Sequence, residues 1–330
     1  MKNFRNIFLW IGLVAIVVML VTMDTPYAEI WAHVQTAGWW FVAVVLLWLP
    51  IYLLNAWSWS FIIHAQAGPR VPFLRVFRYT ISGYALNYVT PVGVLGGEPY
   101  RIMELSGIVG SERATSSVLL YAMMHIFSHF LFWAASILLF LLCHSGLLTP
   151  VMAVLLGLVA LFCGLGIYFF LRGYRNGFAF RAMHLLTYIP LVGKWARRLV
   201  EQQADTIHHI DQQIAALHQC NRWRFYGSLF LEFLARVVGC LELWFILMIL
   251  TDSVRFVDCI LIQAFTSLFA NLLFFMPMEM GTREGGFALA VGGLVLPATF
   301  GVLAGLLTRL REIIWIAVGL ALIKVQRRQE

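Results

Sequence analysis

Charge is scarce in this sequence. Asp, Glu, Lys and Arg make up 12% of the 330 residues, while hydrophobic residues make up 61%. A soluble domain has about 25% charged and about 45–50% apolar residues, so a soluble globular fold is excluded. Cysteine is sparse as well. Cys143, Cys163, Cys220, Cys240 and Cys259 lie far apart, with no CxxC pair and no Cys/His ligand spacing. A disulfide framework or a zinc site is therefore not expected. The signatures of soluble chemistry are missing: there is no G-x-S-x-G, no Walker A run and no DxD in a soluble loop. Gly96 and Gly97 are followed by Glu98 and Pro99, not by Lys and Ser/Thr, so they are not a nucleotide loop. No cofactor, no metal and no enzymatic activity are expected. The formal charge of +7 borders apolar segments and does not gather into a basic domain, so nucleic acid is not an expected partner.

Long apolar runs dominate what remains. Residues 4–22 carry no charge after Arg5, and residues 39–63, 114–142 and 150–171 carry none. About 20 apolar residues cross a bilayer core, so each can span. The first run lacks a small-x-small cleavage site before Pro26, so it is read as a retained span and not a cleaved signal. Lys2 and Arg5, Arg70, Arg75 and Arg78, eight Lys/Arg between 172 and 224, and Lys324, Arg327 and Arg328 mark cytoplasmic segments by the positive-inside rule. Residues 24–37 and 143–149 are then outside, and both termini are cytoplasmic. The reading is an all-α polytopic transmembrane bundle in a bacterial inner membrane. It has six full spans: 4–22, 39–63, 114–142, 150–171, 226–250 and 299–323. Residues 1–330 form one membrane domain, with a first half 1–171, a linker 172–224 and a second half 225–330. Within the linker, Val200, Ile207, Ile210, Ile214 and Leu217 predict an amphipathic helix on the cytoplasmic face. It is either an interfacial elbow or a docking site, over 195–220, for a cytoplasmic synthase.

Two further apolar stretches, 76–110 and 256–297, are broken in the middle. The first reads Asn87 to Pro91, then Gly96, Gly97, Glu98 and Arg101; the second reads Asn271 to Pro277, then Gly281 and Glu284. The Pro-to-Glu spacing is seven residues in each. Proline ends a helix by removing a donor and clashing with the previous turn. Irregular backbone at membrane depth is tolerated only inside protein or beside a water-filled cavity. Each stretch is a re-entrant hairpin or two full spans, the hairpin being preferred for the first. By the charge topology they enter from opposite sides, as an inverted repeat would, and such paired interruptions point to a substrate site. The plainer reading of the glutamates is capping of the returning helices.

The spans also contain charge. Glu232 and Arg236 are four apart and can pair on one face, with Glu242 beyond. Arg309, Arg311 and Glu312 sit near the centre of the last span. A central intramembrane charge costs ~2.5–3.5 kcal/mol or more, so these groups need partners or water. Either they form an internal ion-pair network, or Arg236, Arg309 and Arg101 hold an anionic group, for which the guanidinium fork is suited. His125 and His129 share a helical face without the glutamate of HExxH. Buried polar contacts, a proton relay and a metal pair are the readings open to them.

At these motifs the chain resembles the lysylphosphatidylglycerol synthase transmembrane-region family, also described as flippase-like membrane proteins. The resemblance rests on Asn87, Pro91, Gly96, Gly97, Glu98 and Arg101, on Pro277, Gly281 and Glu284, and on Arg309-Leu310. It covers nearly the whole chain. Where the family is rich in Pro and Gly before the second glycine, this sequence has Met278-Glu279-Met280. Fused members that make lysyl-lipid carry a soluble aminoacyl-transfer domain. The chain ends soon after its last span, so the resemblance implies lipid translocation and not lipid synthesis. The expected partners are membrane lipids: an anionic phospholipid or a lipid-linked head group. A membrane-embedded accessory or enzyme of lipid-linked glycan or head-group modification is the alternative, with Glu98, His125 and Glu284 as its candidate groups.

Overall fold

The computed structural model describes Gln35 and residues 38–65, 68–89, 96–176, 211–212, 221–249, 254–272, 282–294 and 298–326. The expected first span (4–22), most of the linker with its amphipathic segment (195–220), and Pro91, Pro277 and Gly281 lie outside the described residues. So do the side chains of Thr282 and Glu284. Among the described residues the fold is all-helical: nine α-helices, a 3-10 turn and no strand.

Three helices are long and apolar enough to cross a membrane: α1 (Trp39–Ala65), α4 (Ser111–Cys143) and α5 (Pro150–Asn176, of which Pro150–Tyr174 qualifies). The shortest of these stretches has 25 residues, about 38 Å at ~1.5 Å per residue, against a core of ~30 Å. Helix α5 leaves Val151, Leu155, Leu158, Phe162 and Leu165 exposed, as a lipid-facing helix does. Helices α6 (Arg222–Met248) and α9 (Ala298–Gln326) have 27 and 29 residues but carry charge midway.

The two broken stretches form pairs of shorter helices, α2 (Phe73–Val89) with α3 (Gly97–Val109), and α7 (Phe256–Leu272) with α8 (Thr282–Gly293). They have 17, 13, 17 and 12 residues, or roughly 18–26 Å each. None is as long as the hydrocarbon core is thick. The first junction closes on itself. Asn87, near the end of α2, accepts a hydrogen bond from the Gly97 backbone N–H at 2.7 Å. That bond satisfies a donor that a helix start leaves orphaned. Pro99, two residues on, has no N–H to satisfy. A Cβ at Gly97 would overlap the Gly83 carbonyl and the Asn87 side chain, so the two helices cross at a distance only glycine permits. Gly110, at φ +86°, then turns the chain from α3 directly into α4, a conformation that side chains with a Cβ rarely adopt.

Two apolar clusters pack near opposite ends of the bundle, and polar side chains gather in a pocket between them. Near one end, Trp59 and Ile62 of α1 pack with Val118, Tyr121 and Met124 of α4 and with Phe225 of α6. Near the other, Val44 of α1 packs with Leu243, Ile246 and Leu247 of α6, Ile262 of α7, Phe287 of α8 and Leu307 of α9. Both α1 and α6 run through both clusters, so the residues between them lie at mid-depth. Helix α9 reaches α2 closely, where the Ser82 hydroxyl donates to the Gly319 carbonyl at 3.0 Å.

Two glycine substitutions on one helix separate crossing from propensity. Gly97→Ala should destabilise by about 1–3 kcal/mol through overpacking. Gly107→Ala, with nothing within 4 Å of its Cβ, should stabilise by up to ~1 kcal/mol. Thermal unfolding in detergent checks both signs.

Candidate functional site

A cavity of about 430 Å³ lies between the two apolar clusters. Helical periodicity aims one stripe of each helix into it. Helix α4 supplies Tyr121, His125 and His129; α6 supplies Glu232, Arg236 and Glu242; α7 supplies Gln263, Thr266 and Asn271; α9 supplies Thr308, Arg311 and Glu312. The broken pairs add Asn87, Glu98 and Arg101 on one side, and Asn271 and Arg283 on the other.

Three arginines of the lining meet carboxylates. Arg101 donates to Glu98 Oε1 at 3.1 Å and to the Thr80 carbonyl at 3.3 Å. Its guanidinium lies 4.8 Å from the Tyr84 ring centre and 5.3 Å from that of Tyr121. Gly83 makes the space, because a Cβ there would overlap the guanidinium. Arg311 makes a bidentate pair with Glu242, at 2.7 and 2.9 Å, while stacked 3.8 Å from the Trp48 ring centre. Trp48 Nε1 donates to the same carboxylate at 3.0 Å. Arg283 pairs with Glu312, which Arg311 also approaches at 3.7 Å.

Arg236 is different. It donates to the Ser128 hydroxyl at 2.6 Å and to the His125 carbonyl at 2.5 Å, both neutral acceptors. No carboxylate among the described residues lies within ion-pair distance of it. Glu232, one turn earlier, accepts from or shares a proton with His125 Nδ1 at 2.8 Å. Its other oxygen is buried and has no hydrogen-bond partner. Tyr84 and Tyr121 link their hydroxyls at 3.0 Å, and Tyr84 reaches His125 Nδ1 at 3.3 Å.

The family follows from the sequence that builds this site. The family described as Lysylphosphatidylglycerol synthase TM region matches residues 7–319. The chain belongs to this family. Like the rest of the lysylphosphatidylglycerol synthase TM region family, it is a multi-pass membrane protein related to lipid modification or flipping. No curated protein and no solved structure matches it.

Of the residues singled out from the sequence, Asn87, Glu98, Arg101, Glu232, Arg236, Asn271 and Glu312 line the cavity. Gly96 and Gly97 form the junction beneath it. Arg309 is buried but is not in the lining, which takes Arg311 instead. Two residues apart on a helix is about 200°, so the two arginines face opposite ways. Glu232 and Arg236 do not form the pair their spacing allows: the carboxylate turns to His125 Nδ1, and the guanidinium turns to the Ser128 hydroxyl and the His125 carbonyl. Pro91, Pro277 and Gly281, and the Glu284 side chain, lie outside the described residues. Sequence reading counted Glu242 and Arg311 among the charges inside the spans without placing them in the site, and it passed over Arg283, Tyr84 and Gly83 as site residues. A signal existed for Arg311, which lies one turn from Thr308 and beside Glu312.

The Glu242–Arg311 pair gives a test. Arg311→Met strands a buried carboxylate and should cost about 3–5 kcal/mol. Adding Glu242→Leu should recover most of that loss. Scanning fluorimetry in detergent measures both, and equal losses in the single and double variants would contradict the pairing.

Proposed function

We propose that this protein is a lipid translocase that moves a phospholipid or lipid-linked head group through the central cavity. The observation that carries the reading is Arg236: a guanidinium at mid-depth in an apolar bundle, hydrogen-bonded to neutral acceptors and with no carboxylate within ion-pair distance among the described residues. An arginine so placed is suited to a phosphate, whose oxygens match its fork. Family membership supports a lipid substrate. Transporter sites of this kind lie near the midplane, between interrupted helices.

In this reading the two broken pairs are the halves of an inverted repeat. Each offers an asparagine from the end of its incoming helix, Asn87 or Asn271, and an arginine from the early turns of its returning helix, Arg101 or Arg283. The head group passes between them while its acyl chains stay in lipid. Pro91, Pro277, Gly281 and Glu284 shape the loops, and Gly96 and Gly97 allow their close approach. Arg309 supports the last span from behind the lining. Six spans with both termini in the cytoplasm, in a bacterial inner membrane, complete the arrangement.

Purified protein in liposomes should equalise a fluorescent anionic phospholipid between leaflets faster than empty liposomes do. Arg236→Gln should slow this by about tenfold or more, the rate equivalent of ~1.4 kcal/mol. Rates equal to those of empty liposomes, across anionic and glycan-bearing lipids, would overturn the reading.

A further inference from the structure

The described residues lining the cavity include four arginines (Arg101, Arg236, Arg283, Arg311) and four glutamates (Glu98, Glu232, Glu242, Glu312). With these ionised and His125 and His129 neutral, their charges cancel. Three of the glutamates touch an arginine. Glu232 does not: it touches His125 at 2.8 Å, is 1% exposed, and has one oxygen without a hydrogen-bond partner. The lining therefore holds one acid and one guanidinium that are not joined, with an imidazole against the acid.

An anion joining this balanced set of described side chains would leave it with uncompensated negative charge in a medium of low dielectric, which is unfavourable. One proton cancels that charge, and the imidazole is the side chain best suited to take it. We propose that loading an anionic phosphodiester head group takes up one proton at the His125–Glu232 pair, so that head group and proton cross together. The proton adds to the His125 ring nitrogen that is not facing Glu232, forming one N–H bond. The imidazolium so made neutralises Glu232, and Arg236 is left to the phosphate. Release on the far side breaks the same N–H bond, returns the proton to water and restores the starting charge. Movement is then electroneutral and needs no nucleotide.

Every packed neighbour bears on this pair. Helix α2 brings Tyr84, α3 brings Arg101 and Glu98, α4 brings Tyr121 and His129, and α6 brings Arg236 with Glu232 itself. From α7 come the neutral Gln263 and Thr266, from α1 the neutral Asn55 and Tyr52, whose ring packs on Tyr84, and from α9 Arg311 and Glu312, each already in an ion pair. Arg101 is already held by Glu98, and the tyrosine hydroxyls are bonded to each other. His129, its ring centre 5.6 Å from that of His125, has no carboxylate contact among the described residues.

The proposal rests on the translocation reading, and its test separates the two. The probe is a fluorescent short-chain phosphatidylglycerol, whose phosphodiester keeps its charge throughout the range used. Its Kd for the full chain in detergent is measured between about pH 5 and pH 9. Kd should rise with pH, approaching about tenfold per pH unit where one linked proton is lost. Adding the lipid to weakly buffered protein should make the solution more alkaline. Glu232→Gln and His125→Gln should each flatten the slope. The chain-free head group, glycerophosphoglycerol, should bind with the same slope but more weakly. A wild-type Kd that does not change with pH, or a slope retained in both variants, overturns the coupling and leaves the translocase standing. No binding at any pH removes both. Should a variant fail to fold, the wild-type slope and the proton uptake decide the matter.

Discussion

The rest of this structure depends on the cost of holding ionised side chains inside an apolar helix bundle. A charge at mid-membrane depth must find opposite charge, hydrogen bonds or water. Helices α1 and α6 carry that requirement through the bundle, since each joins the two apolar clusters and supplies polar residues between them. The carboxylates of α3, α6 and α9 answer the arginines of α3, α8 and α9. Arg283–Glu312 ties a broken helix to a long one, Arg311–Glu242 ties two long helices, and Arg101–Glu98 closes within α3. The cavity is thus part of how the bundle holds together.

Breaking two helices makes the polar middle possible. A continuous helix satisfies its own backbone and has little need of a cavity. An interrupted one exposes donors and acceptors that side chains must meet, as Asn87 meets Gly97. The returning helices then project Glu98 and Arg101 (from α3) and Arg283 (from α8) inward from their early turns. Glycine sets the spacing: Gly97 lets α3 cross α2, and Gly83 leaves room for the Arg101 guanidinium.

Much of this was legible in the sequence. The charge-free runs at 39–63, 114–142 and 150–171 coincide with α1, α4 and α5, because apolar length alone decides them. The breaks at 87–101 and 271–284 were legible from Pro and Gly, and both fall between short helices. Partner choice was less legible. Local spacing suggested Glu232 with Arg236, yet the tertiary fold brings His125 from α4 to that carboxylate. Spacing on one helix also cannot tell which of Arg309 and Arg311 faces inward, since that depends on the rotation of α9 against α1 and α6. Arg283 drew no notice because its partner, Glu312, is 29 residues away.

The central claim is that an anionic head group occupies the cavity between the broken helices. A high-resolution map of the protein in nanodiscs of anionic phospholipid tests it most directly. The account predicts head-group density in the cavity, with phosphate oxygens in hydrogen-bond contact with Arg236 and the acyl chains leaving between helices. Lipid ordered only on the outer surface, around a cavity holding nothing but water, would contradict it.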